Sequence, residues 1–216
     1  MKTTIRFLNV LLVGWVFAFS GCLKEKFVPD NDIPSIPKYT EEGNQVGGAL
    51  VNKTAWKTNF AVNFDGPTRR SFYFTNHSKG DSVTIHLDGI FNEGTKKDKP
   101  LNFQISLKGT QIKNIDDLMQ WKGKVFSLDA AENQAACIDF FRVLNDQYER
   151  YYGGKGQFIV RNVKRVTNLT YVRGNGEKYN PLIVSGIFDY EFANYGIKVE
   201  SGRFDFQMID ADIDFK

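Results

Sequence analysis

The chain has 216 residues, with 28 lysines and arginines, 25 aspartates and glutamates, and two histidines. Lys2 and Arg6 lie in its first 21 residues, so the remaining 195 residues are almost neutral, with 26 basic and 25 acidic side chains. A neutral domain lacks the basic surface that binds nucleic acid, which excludes a nucleic-acid partner. A length of 195 residues suits one domain.

Residues 1–21 have the pattern of a secretory signal peptide. Lys2 and Arg6 supply the positive start, and residues 7–19 form an apolar stretch with Asn9 as its only strongly polar side chain. At about 13 residues, this stretch is too short for a membrane-spanning helix, which needs roughly 20. The pattern therefore predicts a segment that is removed from the mature protein.

The end of this segment, Phe19-Ser20-Gly21-Cys22, resembles the lipobox of bacterial lipoproteins. Ser20, Gly21 and Cys22 fit the lipobox, whereas Phe19 stands where Leu, Val or Ile is usual. The resemblance implies cleavage before Cys22 and attachment of acyl chains such as palmitate, which would anchor the protein to the cell outer membrane, on either face. Cys137 is then the one remaining cysteine, which excludes an intramolecular disulfide and a cysteine-based zinc cluster.

Residues 22–44 are predicted to be an extended linker after the lipidated cysteine. Prolines at positions 29, 34 and 37 and many charged side chains disfavour a packed core in this segment. We expect a disordered tether that lifts the following domain off the membrane.

Residues 45–216 are predicted to form one β-rich domain. Apolar and polar residues alternate with the period of a strand over residues 83–88, 101–108, 188–192 and 203–208. Glycine-containing turn signals separate these runs. The pattern predicts an all-β fold, an antiparallel β-sandwich or an open barrel, with one face of the sheet against a core.

Three places depart from simple alternation. Residues 115–121 could form a short helix with Asn114 or Asp116 near its start. Residues 130–152 fit either a helix or a hairpin of strands 136–141 and 147–152, and the hairpin is favoured. The apolar positions 211, 213 and 215 have opposite parity to 204–208, which predicts a bulge or short turn near Ile209.

Two segments carry a family resemblance. One is Gly47-Gly48-Ala49-Leu50-Val51-Asn52 followed by Trp56, and the other is Ser185-Gly186-Ile187-Phe188 followed by Gly202-Arg203-Phe204-Asp205. They resemble the opening and the closing hairpin of uncharacterised small Bacteroidetes lipoproteins of unknown function. Lys53 stands where that opening often has a glycine. The resemblance implies a β domain on a lipid anchor and no catalytic residues. Asp81-Ser82-Val83 is similar to the O-glycosylation motif of that phylum, which implies Ser82 as a glycan acceptor. The favoured alternative is that Ser82 simply begins a strand.

Tyr148, Tyr151 and Tyr152 are the candidate binding residues, since exposed aromatic rings can stack on sugars or anchor a protein partner. The favoured alternative is that they are half-buried tyrosines of a strand pair. Mutation of all three to alanine would separate these interpretations.

The remaining polar groups give no clear catalytic or metal site. His86 with Asp88, and Asp189 with Glu191, each share one strand face, for which a solvated surface is the favoured interpretation. Cys137 among alanines indicates a buried thiol. Asp210, Asp212 and Asp214 could bind calcium if they lay in one strand, or could simply face solvent. We predict no metal, no cofactor and no catalytic residue.

The leading hypothesis is a cell-envelope lipoprotein with a non-catalytic binding or structural domain for a glycan or protein ligand. Whether it is an enzyme stays open. One alternative is a hydrolase that uses carboxylates such as Asp189 and Glu191 on glycans, and another is an accessory subunit of an envelope complex.

Overall fold

The computed structural model describes residues 26–58, 71–77, 82–91, 99–129, 142–144, 147–149 and 151–215. It is mostly β, and its main sheet is mixed and curls into a half-barrel, which confirms the predicted all-β class. No helix within these ranges is long and apolar enough to cross a membrane.

The strands in the described ranges are Val46–Val51 (β1), Thr54–Thr58 (β2), Phe72–His77 (β3), Ser82–Phe91 (β4), Lys99–Lys108 (β5), Val125–Leu128 (β6), Arg142–Leu144 (β7), Gln147–Glu149 (β8), Lys155–Arg165 (β9), Tyr171–Val172 (β10), Lys178–Tyr179 (β11), Leu182–Phe192 (β12), Ile197–Met208 (β13) and Ile213–Phe215 (β14). The large sheet has the order β14-β3-β4-β2-β1-β13-β12-β9-β6, and β5 pairs with β4 off this path. All of its pairs are antiparallel except β14 with β3.

The alternating residues place one face of the sheet on an apolar core. Fully or almost fully buried side chains include Val83, Ile85, Leu87, Leu101, Phe103, Ile105, Leu107, Phe188, Tyr190, Phe192, Phe204, Phe206 and Met208. Aromatic rings dominate this core: Phe158 stacks on Phe204 with centroids 5.0 Å apart, and Phe72 stacks on Phe206 at 4.6 Å. Each buried ring removes a large apolar area from water, so these contacts hold the curl together.

Two glycines on neighbouring strands allow core rings to lie directly on the backbone. A Cβ on Gly186 would come within 2.1 Å of the Ile159 carbonyl oxygen, and one on Gly202 within 2.2 Å of the Phe188 oxygen. Both distances are far shorter than van der Waals contact. The two positions therefore have no room for a larger residue, which explains the glycines in the Ser185-Gly186 and Gly202-Arg203 segments.

The N-terminal segment packs on the sheet, so the linker prediction is wrong for residues 26–44. Ile36 is fully buried, and Pro29 and Pro37 form a β-bridge. A Cβ on Gly48 would lie 2.3 Å from Pro37, which shows how closely the segment crosses β1. The prolines are compatible with this bridge because neither of its two backbone hydrogen bonds needs a proline N–H. Asp30 N–H donates to Ile36 O, and Lys38 N–H donates to Val28 O. Residues 22–25 lie outside the described ranges.

The buried carboxylate of Asp205 on β13 holds this segment in place. Its Oδ1 accepts the Gly43 N–H at 2.8 Å. Its Oδ2 accepts the Thr40 hydroxyl and the N–H groups of Glu42 and Asn44, the latter two at 3.1 and 3.2 Å. Alternation predicts Asp205 on the polar face, and it does lie there, but residues 40–44 cover that face and bury it.

The three ambiguous regions are resolved where the structure describes them. A 3₁₀ helix spans Ile115–Trp121, and the Asn114 side chain caps it as predicted. β7 and β8 pair as a short hairpin; the predicted first strand, residues 136–141, lies outside the described ranges. A short 3₁₀ turn at Asp210–Asp212 precedes β14, which confirms the predicted turn after Ile209.

The loop between β1 and β2 contains only Asn52 and Lys53, with φ angles of 47° and 67°. Two consecutive positive φ values are typical of a type I′ turn, for which Asn-Gly is preferred. Asparagine tolerates this conformation, but the Cβ of lysine is strained in it. Lys53 therefore adopts the turn conformation with a strain that lowers the free energy of unfolding.

Replacement of Lys53 by glycine is expected to raise the free energy of unfolding by about 0.5–1 kcal/mol, because relief of the strain outweighs the added freedom of the unfolded chain. Urea denaturation measures the change. Lys53→Ala is the matched control, since it removes the same side chain but keeps Cβ. Equal stabilities of Lys53→Gly and Lys53→Ala would contradict the proposed strain.

Candidate functional site

Two grooves on the surface of the sheet bring polar and aromatic side chains together. The first, called the tyrosine groove here, has a volume of about 300 Å³. It is lined by Tyr152, Gly153, Lys155, Glu191, Phe192, Ala193, Asn194 and Tyr195. This volume lies at the small end of ligand pockets and matches one or two sugar rings in scale.

The tyrosine groove forms where β12 turns into β13 beside the start of β9. A 3₁₀ turn at Ala193–Tyr195 ends at Gly196, whose φ of 61° is in the left-handed region and reverses the chain. Asn52 fixes this turn from the neighbouring β1–β2 loop, since its Nδ2 donates to Gly196 O at 3.1 Å and its Oδ1 accepts the Lys198 N–H at 2.8 Å. The turn is therefore held rigidly at the end of the sheet.

Exposed tyrosine rings border this groove. Tyr152 and Tyr195 each expose 52 % of their surface. Tyr151 packs edge-on against Tyr195 with ring centroids 4.8 Å apart, and its hydroxyl donates to Glu149 Oε2 at 2.8 Å. These contacts hold Tyr195 in position while part of its ring stays in contact with solvent.

The structure brings two of the three predicted tyrosines to this groove. Tyr152 lines it, and Tyr151 supports it as a half-buried residue. Tyr148 belongs to β8, but its side chain lies outside what the structure describes. Tyr195 was missed because it is distant in sequence; the Asn194-Tyr195-Gly196 turn between two alternating runs was the available signal.

The second groove, called the outer groove, has a volume of about 560 Å³. It is lined by Tyr39, Glu41, Arg161, Ile187, Asp189, Ser201, Gly202 and Arg203. Its floor is the outward face of β9, β12 and β13, and residues 39–41 of the N-terminal segment form its wall. Sequence analysis missed Tyr39 and Glu41 because their segment was interpreted as a linker.

Hydrogen bonds fix the acidic wall of the outer groove. Glu41 Oε1 accepts the Tyr39 hydroxyl at 2.8 Å, and Glu41 Oε2 accepts from Asn162 Nδ2 at 2.7 Å. Burial, reinforced by the adjacent Glu41 carboxylate, raises the pKa of Tyr39 to about 12. Tyr39 therefore stays protonated and keeps donating to Glu41 at neutral pH.

The cationic side of the outer groove contains one paired and one unpaired arginine. Arg203 forms an ion pair with Asp30, whose pKa is lowered by the hydrogen bond from Ile33 N–H at 3.0 Å and by Arg203 itself. Arg161 forms no ion pair with any residue that the structure describes. The groove thus presents one guanidinium group to solvent.

Asp189 and Glu191 share the outward face of β12, but they line different grooves. Partial burial raises the pKa of Asp189, against the opposing effect of hydrogen bonds from the backbone N–H groups of Ser201 and Gly202. Among the described residues, the two carboxylates do not converge on one pocket as a glycosidase pair must. The carboxylate that shares a groove with Asp189 is Glu41.

Two other sequence candidates occupy ordinary positions on β4. The His86 ring stacks on Tyr73 at 4.3 Å, and its Nε2 lies 2.9 Å from Thr75 Oγ1. Ser82 is the first residue of β4, opposite Lys108 and His77, in agreement with a plain strand start. Cys22 and Cys137 lie outside the described ranges.

The three C-terminal aspartates do not share a strand face. Asp210 pairs with Arg173, Asp212 Oδ2 accepts the Ile209 N–H at 2.6 Å, and only Asp214 belongs to β14. The turn that separates them removes the geometry required for the calcium alternative. In the part of the chain that is described, no group of three or more His, Cys, Asp or Glu side chains could hold a metal ion.

Asp189 should make stability depend on pH. Its raised pKa means that the folded chain holds the proton more tightly than the unfolded chain, so the ionised carboxylate lowers the free energy of unfolding at neutral pH. This penalty disappears as the pH falls through the raised pKa towards the ordinary value of 3.8. Asp189→Asn is therefore expected to stabilise the protein at pH 7 and to have less effect near pH 4, measured by urea denaturation.

Glu191→Gln is the matched control for this prediction, because it removes the same charge from the same face of β12. An Asp189→Asn effect that is equal at both pH values would contradict the raised pKa.

No protein-family model, curated protein or solved structure matches this chain.

Proposed function

We propose that this protein is a cell-envelope lipoprotein, anchored to the outer membrane by Cys22, whose β domain binds a glycan in the tyrosine groove. The single observation that carries the binding role is the pair of half-exposed rings, Tyr152 and Tyr195, beside a groove with polar side chains. Covering these rings would remove apolar surface from water, which favours binding of a ligand that stacks on them.

The groove has the chemistry that a sugar ring needs. Aromatic faces pack against the C–H face of a pyranose, and polar groups around them hydrogen-bond its hydroxyls. Lys155, Glu191 and Asn194 supply a donor, an acceptor and an amide that can do both. Lys155 is paired with Asp129 at 3.2 Å but remains largely exposed, so its ammonium group can turn towards a ligand.

The envelope location is supported by the sequence of residues 1–22. The positive start, the short apolar stretch and the Ser20-Gly21-Cys22 ending fit a lipoprotein signal. Several acyl chains on one cysteine would give stable anchoring.

A hydrolase is the second candidate, and the raised pKa of Asp189 is the observation that favours it. A carboxyl group with a raised pKa suits a general acid better than an ordinary aspartate does, and Glu41 lies in the same groove. If incubation with a bound glycan released new reducing ends, and if Asp189→Asn and Glu41→Gln each stopped the release, the hydrolase would replace the binding module.

Tyr152→Ala and Tyr195→Ala are each expected to weaken glycan binding by about tenfold, as loss of one stacking ring predicts. Calorimetry of the full-length protein, with oligosaccharides first selected from a glycan array, measures the affinity. Tyr152→Phe and Tyr195→Phe keep the rings and should bind nearly as well. Val172→Ala, at an exposed position on β10, is the remote control. Failure of the wild-type protein to bind any glycan on the array would contradict the proposal.

Cys22→Ala is expected to shift the protein from the membrane fraction to the soluble fraction, because no acyl chain can then be attached. Intact-mass spectrometry of the wild-type protein should show the acyl chains on Cys22. Protease treatment of intact cells then tells which face of the membrane carries the domain. Firm membrane association of the Cys22→Ala protein would contradict the anchor.

A further inference from the structure

The start of the described chain carries two apolar side chains surrounded by lysines. Phe27 and Val28 expose 39 % and 37 % of their surface, although both are large hydrophobic residues. Lys26, Lys38 and Lys57 are also exposed. We call these five residues the Phe27 patch.

The geometry links four of these residues in two pairs, Phe27 with Lys57 and Val28 with Lys38. The Lys57 Nζ lies 5.9 Å from the centre of the Phe27 ring. Val28 lies opposite Lys38, since the Lys38 N–H donates to Val28 O at 2.7 Å beside the Pro29–Pro37 bridge. Directly opposed residues of an antiparallel pair point to the same face.

The three lysines give the patch a positive charge that no acid among the described residues pairs with. Lys26, Lys38 and Lys57 form no ion pair with any described residue. Asp30, the described acid nearest to Phe27 and Val28 along the chain, already pairs with Arg203. Exposed apolar side chains next to lysines are the pattern of a surface that binds anionic lipid headgroups.

Covalent geometry places this patch at the membrane if Cys22 carries the anchor. Four residue steps separate Cys22 from Lys26. A fully extended chain spans at most about 3.6 Å per residue, so the two lie within roughly 14 Å of each other. The Lys26 N–H is bound to Asn44 O at 2.9 Å, which fixes this end of the segment to the start of β1.

We infer that the Phe27 patch docks the domain on the surface of an anionic lipid bilayer. This inference rests on the proposed lipid anchor at Cys22. Phe27 and Val28 enter the interface between headgroups and acyl chains, and the three lysines bind headgroup phosphates. The N-terminal segment then holds the domain in a fixed orientation on the membrane, as a flexible tether would not.

This docking also orients the tyrosine groove. Asn44 lies just before β1, and Asn52, which binds Gly196 at the groove, follows the end of β1. At about 3.3 Å per residue, the eight steps between them span at most roughly 26 Å, because Gln45 has a positive φ and β1 contains a bulge. The groove therefore lies at the end of β1 remote from the chain's attachment to the membrane, where it is open to large glycans.

Phe27→Trp provides the test in the full-length, lipidated protein, reconstituted into vesicles of phosphatidylcholine and phosphatidylglycerol with brominated acyl chains. Trp56 and Trp121 are buried and supply a constant background, and Trp15 lies in the segment that is removed. Val125→Trp is the matched control, because Val125 is 59 % exposed on β6, four strands from β1. Val28→Trp serves as a second reporter.

Bromine quenching of the indole introduced by Phe27→Trp is expected to exceed that of the indole introduced by Val125→Trp by about threefold or more, since only an interfacial ring comes near the acyl chains. Addition of Lys26→Glu and Lys57→Glu to Phe27→Trp should reduce this excess. Equal quenching of both reporters on a protein with acylated Cys22 would overturn the docking but leave the anchor. Absence of acyl chains on Cys22, shown by intact mass, would overturn both.

Discussion

The buried carboxylate of Asp205 ties the N-terminal segment, residues 26–44, to the centre of the sheet. Asp205 accepts hydrogen bonds from Thr40, Glu42, Gly43 and Asn44. Bonds to an ionised acceptor are among the strongest in proteins, and burial makes their loss expensive. Without Asp205, residues 26–44 would lose their main polar attachment to β13.

Much of the surface chemistry follows from this attachment. The segment that Asp205 holds places Tyr39 and Glu41 over the outer sheet face, which creates one wall of the outer groove. It also brings Asp30 to Arg203 and seats Pro37 on Gly48. Each residue of the Gly202–Asp205 segment has its own role. Gly202 lies against Phe188, and Arg203 pairs with Asp30. The Phe204 ring packs in the core, and Asp205 holds the N-terminal segment.

The same attachment connects the proposed anchor with the proposed ligand site. Only four residue steps separate Cys22 from Lys26, whose N–H donates to Asn44 O just before β1. The tyrosine groove is held at the other end of these strands by Asn52. In the proposed arrangement, the sheet between anchor and groove would set the orientation of the groove, whereas a flexible linker would leave it free.

Local patterns predicted the parts of the fold that depend on local chemistry. Alternation along β4, β5, β12 and β13 follows from a core on one face, and Asn114 caps the 3₁₀ helix through bonds to its own neighbours. The roles of Asp205 and Tyr195 could not be predicted in the same way, because their partners are distant in sequence. Prolines at 29, 34 and 37 predicted an extended chain, but the segment turns at residues 31–36, and composition does not tell whether a segment packs on the domain.

Native-state hydrogen exchange of the Glu42, Gly43 and Asn44 amides tests most directly whether the N-terminal segment belongs to the domain. All three amides donate to the buried Asp205 carboxylate, so they should exchange at least about a hundredfold more slowly than in an unstructured peptide, as amides that open only with the surrounding fold do. Exchange at the rate of an unstructured chain would show that residues 26–44 are a tether after all, and the fixed orientation between anchor and groove would be lost.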